Sequence, residues 1–361
     1  MTGRAHIGHC RHTCGVRIRQ SASLVASAVL IFAITACNGT ERAAGDVYGC
    51  AQGPPIAGRP LRIATTVAPI TSIVSAIAGA AGAEVVGVVP EGHNSHTFEP
   101  SPSAAAALEA ADIVFLNGLS LEEPTRELAL ANLGEGGEIC ELGTTVLPEQ
   151  EYIYDFSFPE EGGKPNPHLW TNPPMAIQYG ELIRDVLVAR DPDHAEQYRA
   201  SFESFRAQVD QLDWAIRAAT ASVSRDQRLL LTYHDAYAYF GREYGWTVLG
   251  AVQPSSFDEP TPRDVANLIG QVEQSGVGVI FGSEVFPSPV LRQIASETGI
   301  EYVDNLRDDD LPGEPGRPEH SWLELMRSNY VTIVQALGGD ATLLRSLNLD
   351  SVIVDAAYYP Q

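Results

Sequence analysis

The chain has 361 residues, 44% of them hydrophobic, so it contains enough apolar material for a globular core and is not intrinsically disordered as a whole. Its length is typical of about two domains or of two lobes of one fold. The formal net charge of −23 argues against nucleic acid as a ligand. The only lysine, Lys164, is followed by Pro165, so the chain has no G-x-x-x-x-G-K-[ST] loop and is not a P-loop ATPase.

Residues 1–36 have the pattern of an export signal peptide. Four Arg and no acidic residue precede an uncharged apolar stretch of 14 residues, which is shorter than the roughly 20 residues that span a bilayer. The segment Ile34 to Cys37 follows at once and resembles the lipobox of bacterial lipoproteins. We therefore expect lipidation of Cys37 and an extracytoplasmic protein anchored to the cell membrane. Cleavage near Ala36 without lipidation, and an uncleaved anchor, are the alternatives.

Export changes what is expected of the remaining chain. Removing a segment with four Arg and no acid leaves a still more acidic protein, whose surface attracts cations. A cation is therefore the first ligand class to consider. Cys50 and Cys140 would meet oxidising conditions outside the cytoplasm, and they are expected either to form a disulfide or to be two separate buried thiols.

The rest of the chain is typical of an α/β fold with two lobes and mainly parallel sheets. Residues 37–59 contain Gly, Ala and Pro without apolar periodicity and are predicted to be a tether. Short apolar runs then alternate with helical stretches, which places an N-terminal lobe at 60–190 and a C-terminal lobe at 222–361. The predicted strands cover residues 61–67, 85–89, 113–116, 229–232, 246–252, 279–281 and 302–303.

One long helix is predicted between the lobes, over residues 191–221. Asp191 suits a helix cap and Pro192 suits the first helical position. The apolar residues recur with the spacing 4-3-4-3-4, which is one continuous stripe: Tyr198, Phe202, Phe205, Val209, Leu212 and Ile216. This favours a rigid helix that lies along both lobes of a monomer. A coiled-coil dimer is the alternative, for which fewer than four heptads give weak support.

Three histidines lie in contexts that suit metal ligands. His96 and His168 lie in loops bounded by proline, and His96 and His234 each follow a predicted strand. Ligands of parallel α/β sheets gather beyond the carboxyl ends of strands, and proline fixes a loop at little entropic cost. A single such histidine is more often structural, but three imidazoles and a carboxylate make a four-ligand site for a transition metal. Candidates for the carboxylate follow the last predicted strand: Asp308, Asp309 and Asp310.

In their order along the chain, these motifs resemble those of the metal-binding lipoproteins of zinc and manganese ABC transporters. The signature G-x-x-P-H-x-[YF]-E-P-[ST]-P is similar to residues 92–102, with Ser95 where proline is usual, and D-P-H-x-W is similar to residues 166–170. The resemblance covers about residues 61–337. Further similar segments are 111–119, 233–240, 259–262 and 322–329.

The resemblance implies a metal site in the cleft between the lobes. His96 and His168 would come from the first lobe, and His234 and Asp309 from the second. The alternatives to Asp309 are Asp308, Asp310 and Glu284. Zinc is the expected transported metal, since three imidazoles and one carboxylate suit tetrahedral zinc, and manganese is second. The implied function is to capture a divalent metal and deliver it to an ABC permease, without catalysis.

Two other functions fit parts of the sequence. A zinc hydrolase is possible because three histidines with an open coordination position activate water. It would need a general base near the metal, for which Glu99 and Glu284 are candidates, although the sequence has no H-E-x-x-H motif. A surface adhesin on the same fold is the third hypothesis.

Overall fold

The computed structural model describes residues 50, 53–253, 260–283, 289–349 and 357–360. The predicted signal peptide and Cys37 lie outside these residues. Within them, no helix has both the length and the apolar character needed to cross a membrane.

Two four-stranded parallel sheets form the framework, which confirms the predicted α/β fold with two lobes. The first sheet has the strand order β2-β1-β3-β4, and the second has the order β6-β5-β7-β8. The strands of the first sheet are β1 Arg62–Thr65, β2 Glu84–Gly87, β3 Ile113–Leu116 and β4 Glu138–Glu141. Those of the second are β5 Leu229–Thr232, β6 Thr247–Ala251, β7 Val279–Ser283 and β8 Glu301–Leu306. We call the chain up to residue 190 the first lobe and the chain from residue 223 the second lobe.

Helices connect the strands and cover both sheets. In the first lobe they are α1 Ala68–Ala78, α2 Pro102–Ala110, α3 Glu123–Asn132, α4 Leu142–Val146 and α5 Pro173–Arg190. Helix α6, Ala195–Ser222, joins the lobes. In the second lobe they are α7 Ala238–Tyr244, α8 Pro262–Ser275, α9 Pro289–Thr298, α10 Trp322–Ala336 and α11 Thr342–Ser346.

Helix α6 is the long helix that the apolar stripe predicts. All six stripe residues are buried, and its 28 residues span about 42 Å at 1.5 Å per residue. It begins at Ala195, after a 3₁₀ turn at Pro192–His194, rather than at the predicted cap. The reason is that the Asp191 carboxylate accepts hydrogen bonds from His194 Nδ1 at 2.7 Å and from the Tyr198 hydroxyl at 2.8 Å, instead of from backbone N–H groups of the first turn.

One hydrophobic core is shared by both lobes, and each sheet has a second cluster of its own on the other face. In the first sheet Ile113 packs into the shared core, whereas Val114 faces the cluster under α2 and α3. In the second sheet Leu230 packs into the shared core and Leu231 into the cluster under α8 and α9. Side chains of α1, α5, α6 and α10 fill the shared core, so these helices hold the two sheets in a fixed relation.

The carboxyl end of the predicted tether is fixed to the first lobe. A disulfide joins Cys50 to Cys140 in β4. Arg59 donates from both terminal nitrogens to the Asp112 carboxylate, at 2.7 and 2.6 Å. The stretch 53–60 therefore follows the surface of the lobe rather than standing free of it.

Candidate metal centre

The three predicted histidines meet at one point between the lobes. The Nε2 atom of His168 lies 3.3 Å from Nε2 of His96 and 2.9 Å from Nε2 of His234. His168 and His234 are buried, and His96 is partly exposed. Such spacing suits nitrogen ligands that share one ion, each about 2.0–2.1 Å from it.

Each histidine is placed by a short local structure. His96 lies in the loop after β2, where its backbone N–H donates to Asn94 Oδ1 at 2.9 Å. His168 precedes a 3₁₀ turn at Leu169–Thr171, and the hydroxyl of Thr171 bonds back to the His168 carbonyl at 2.9 Å. His234 follows β5 directly, at the carboxyl edge of the second sheet. The strand-end positions of His96 and His234 are those that the sequence indicates.

Two amide side chains contact the Nδ1 atoms of His168 and His234, on the side of each ring away from the other histidines. Asn166 Oδ1 lies 2.9 Å from Nδ1 of His168, and Gln253 Oε1 lies 2.7 Å from Nδ1 of His234. A neutral imidazole that donates through Nδ1 has its lone pair on Nε2. Two Nε2 lone pairs 2.9 Å apart repel each other, and a cation bound to both converts that repulsion into attraction.

Burial keeps two of the rings in the form that binds metals. It lowers the pKa of His96 and the pKa of His168 well below the usual 6.5, and the adjoining His234 lowers both further. For His96, the positive charge of Lys164 acts in the same direction. Both imidazoles are therefore neutral at pH 7, and only a neutral imidazole ligates a metal.

Two neighbouring carboxylates of the second lobe differ in their bonding. Asp308 Oδ2 lies 3.8 Å from Nε2 of His234, and Asp308 Oδ1 accepts from the Ser283 hydroxyl at 2.7 Å. Asp309 Oδ2 accepts from the Ser95 hydroxyl at 2.7 Å, whereas its buried Oδ1 has no hydrogen-bond partner among the described residues. An unpaired buried carboxylate oxygen is costly, and it is a suitable ligand for a cation.

The third carboxylate, Asp310, accepts hydrogen bonds from the backbone of the first lobe. Both of its oxygens accept from the Gly92 N–H, at 2.9 and 3.0 Å, which ties the two lobes together. Burial raises the pKa of Asp310 to about 6. Burial and the adjoining Asp308 raise the pKa of Asp309 well above its usual 3.8. A bound cation would favour the ionised form of Asp309.

A cavity of about 240 Å³ lies beside His96, the one of the three histidines that is partly exposed. His96 forms part of its wall, beside Phe158 and the exposed Lys164. Glu99, a candidate base for hydrolysis, is exposed to solvent. Glu284 lies outside the described residues.

Asn166, Gln253 and Ser95, which contact the proposed ligands, are not predicted from the sequence. The one sequence signal for Asn166 and Ser95 is that they stand at motif positions where Asp and Pro are usual. Gln253 is 19 positions from His234, and no local pattern links the two.

Residues 63–336 match a family described as ZnuA, zinc-uptake complex component A, periplasmic. The protein belongs to this family. Its members are metal-binding proteins of ABC transporters and not enzymes, so the predicted resemblance and the prediction of a non-catalytic role are confirmed.

The names of individual relatives mention different metals. The manganese-binding lipoprotein MntA of Halalkalibacterium halodurans is 28% identical, over 78% of this chain and 89% of its own length. The iron-binding protein YfeA of Yersinia pestis is 27% identical, over 80% and 89%. Among solved structures, the periplasmic zinc-binding protein TroA of Treponema pallidum has a TM-score of 0.70 at 23% identity, over 78% of this chain and 99% of its own. This last likeness concerns the fold.

Proposed function

We propose that this protein captures a divalent transition metal outside the cytoplasm and delivers it to an ABC permease. The observation that carries the proposal is the convergence of three imidazole Nε2 atoms, two of them 2.9 Å apart, with at least two of the rings neutral at pH 7. Membership of a family of metal-binding ABC transporter proteins supports the transport role.

We propose His96, His168, His234 and Asp309 as the metal ligands. The three histidines are supported by their mutual distances. Asp309 is supported by its buried Oδ1, which has no hydrogen-bond partner in the part of the chain that the structure describes. Asp308 is the matched comparison, because each of the two carboxylates accepts one serine hydrogen bond and Asp308 Oδ2 lies 3.8 Å from Nε2 of His234. We expect Asp309→Asn to weaken zinc binding more than Asp308→Asn, and the reverse order in a zinc titration would assign the fourth ligand to Asp308.

Zinc is the proposed metal, with manganese second. Three nitrogen ligands and one carboxylate suit zinc, whereas manganese prefers more oxygen ligands and a higher coordination number. Affinity in solution does not decide between them, since zinc binds more tightly than manganese at most nitrogen sites. Gene deletion followed by growth on single metals does decide. Rescue by zinc is expected, and rescue by manganese alone would overturn the zinc assignment while leaving the transport role intact.

Membrane attachment is proposed to occur through a lipid on Cys37. Buried acyl chains contribute about 0.8 kcal/mol per methylene, so a multiply acylated cysteine holds a protein on a membrane. The name lipoprotein given to MntA supports this proposal. The substitution Cys37→Ser is expected to release the protein from the membrane fraction, and retention after a carbonate wash would indicate a different anchor.

Metal analysis of protein purified without chelator tests the central proposal. One equivalent of a transition metal, exchangeable with zinc in a titration, is the expected result. Purified protein that holds no metal and takes up none from zinc, manganese or iron solutions would refute it.

A further inference from the structure

Two buried amides fix the orientation of the central histidine rings. Asn166 Oδ1 accepts from the backbone N–H of His168 at 3.1 Å as well as from its Nδ1 at 2.9 Å. A backbone N–H can only donate, so the Asn166 atom that it contacts is the oxygen rather than the nitrogen. The same oxygen can only accept from His168, which places the proton on Nδ1 and leaves Nε2 with its lone pair.

Gln253 holds His234 in the corresponding way. It follows β6, and its backbone N–H donates to the carbonyl of Tyr233, the residue before His234, at 2.9 Å. The amide oxygen then reaches Nδ1 of His234 at 2.7 Å. Gln253 is buried, with 3% of its surface exposed, so solvent does not replace it as the acceptor.

Asn166 and Gln253 each also form a hydrogen bond with a residue of the other lobe. Asn166 Nδ2 donates to the carbonyl of Asp235, in the second lobe, at 2.8 Å. The hydroxyl of Ser157, in the first lobe, donates to the carbonyl of Gln253 at 3.2 Å. Contacts from both lobes therefore hold these two residues in place.

We propose that Asn166 and Gln253 are positioning residues that orient His168 and His234 with Nε2 toward the metal. The inference rests on the proposed metal-binding function and extends it to residues outside the ligand set. Partners of ligating histidines typically contribute 10–100-fold in metal affinity.

A matched pair at position 253 tests the positioning role. Gln253→Met has a similar length but no acceptor, and Gln253→Glu keeps one. We expect Gln253→Met to lose about 10–100-fold in zinc affinity and to change the visible absorption of the Co²⁺-loaded protein, which reports coordination geometry. Gln253→Glu is expected to recover most of the affinity and the wild-type spectrum. Wild-type affinity and an unchanged spectrum in Gln253→Met would overturn the proposal.

Two controls keep this result interpretable. Failure of the wild type to bind zinc and Co²⁺ would refute the proposed function itself, which is a different outcome. Thermal unfolding in chelator checks that each variant folds. Should Gln253→Met not fold, Asn166→Leu and Asn166→Asp give the same comparison at His168, since only the Asp variant keeps the acceptor for Nδ1.

Discussion

The two lobes have sheets of the same strand order, but they place the proposed metal ligands differently. The first sheet pairs without interruption, whereas the second has register shifts between Leu230 and Leu231 and between Phe281 and Ser283. Both shifts lie close to the site. The first register shift is in β5, the strand before His234. The second ends at Ser283, whose hydroxyl donates a hydrogen bond to Asp308. Irregular pairing of this kind re-aims side chains near functional sites.

In the first lobe the proposed ligands lie in loops rather than at the end of a distorted strand. His96 lies in the loop after β2 and His168 in the loop before α5, and side-chain contacts from Asn94 and Asn166 hold these loops. The sheet therefore positions His234, whereas polar contacts within loops position His96 and His168. Substitutions in each lobe measure what that lobe contributes to metal binding and to stability.

Removal of one histidine from either lobe should abolish the stabilisation that metal provides. At free zinc 1,000-fold above Kd, a ligand that binds only the folded state stabilises it by about 4 kcal/mol. His168→Ala and His234→Ala should each lose most of this gain in thermal unfolding with and without zinc. The exposed His93 lies in the same loop as His96 and gives the control His93→Ala, which should keep the gain. An intact zinc-dependent shift in His234→Ala would exclude His234 from the site.

Loss of the disulfide should destabilise the protein without affecting zinc binding. Cys50 and Cys140 are 90 residues apart in sequence, and no cysteine occurs beyond Cys140. The double variant Cys50→Ala, Cys140→Ala should lose about 2–4 kcal/mol of unfolding free energy, as measured by urea titration in chelator. Addition of a reductant should lower the stability of the wild type to that of the variant. A wild type insensitive to reductant would mean that the two cysteines are not bonded in solution.

Buried Glu122 should make the stability of the protein depend on pH. Burial raises its pKa from 4.5 to about 7. Between these values the folded state binds more protons than the unfolded state, so the free energy of unfolding falls as pH rises from about 4.5 to about 7. Relative to Glu122→Gln, the wild type should lose on the order of 3 kcal/mol between pH 4 and pH 8.

Glu109→Gln, at an exposed position of α2, is the control for removal of a charge. Chemical denaturation in chelator at several pH values gives the comparison. Parallel pH profiles for the wild type and Glu122→Gln would show that Glu122 titrates near its ordinary pKa in the folded protein.

The sequence predicts those features that depend on local pattern. Seven of the eight strands and helix α6 follow apolar runs of the expected period, and the three histidines lie where prolines and strand ends suggest. Strand β4 was not predicted, because its sequence E-I-C-E has two acids among four residues. Both acids are buried and paired: Glu138 faces Arg190 at 3.4 Å, and Glu141 faces Arg126 at 2.7 Å. The partners are distant in sequence, so no local pattern reveals them.

The same limit applies within the candidate site. Prolines and strand positions indicate the three proposed histidine ligands, but the contact between Gln253 and His234 depends on how β6 pairs with β5. The bond between Ser95 and Asp309 depends on the packing of one lobe against the other. Residues that hold ligands across such distances are found only from the folded chain.

X-ray absorption at the zinc edge of the zinc-loaded protein tests the central claim most directly. It counts the imidazole ligands of the bound ion and measures their distances. The account predicts three imidazole nitrogens at about 2.0–2.1 Å together with carboxylate oxygen, and one imidazole fewer in His168→Ala and in His234→Ala. A zinc ion bound by oxygen alone, or the same imidazole count in both variants as in the wild type, would contradict a metal site shared by the two lobes.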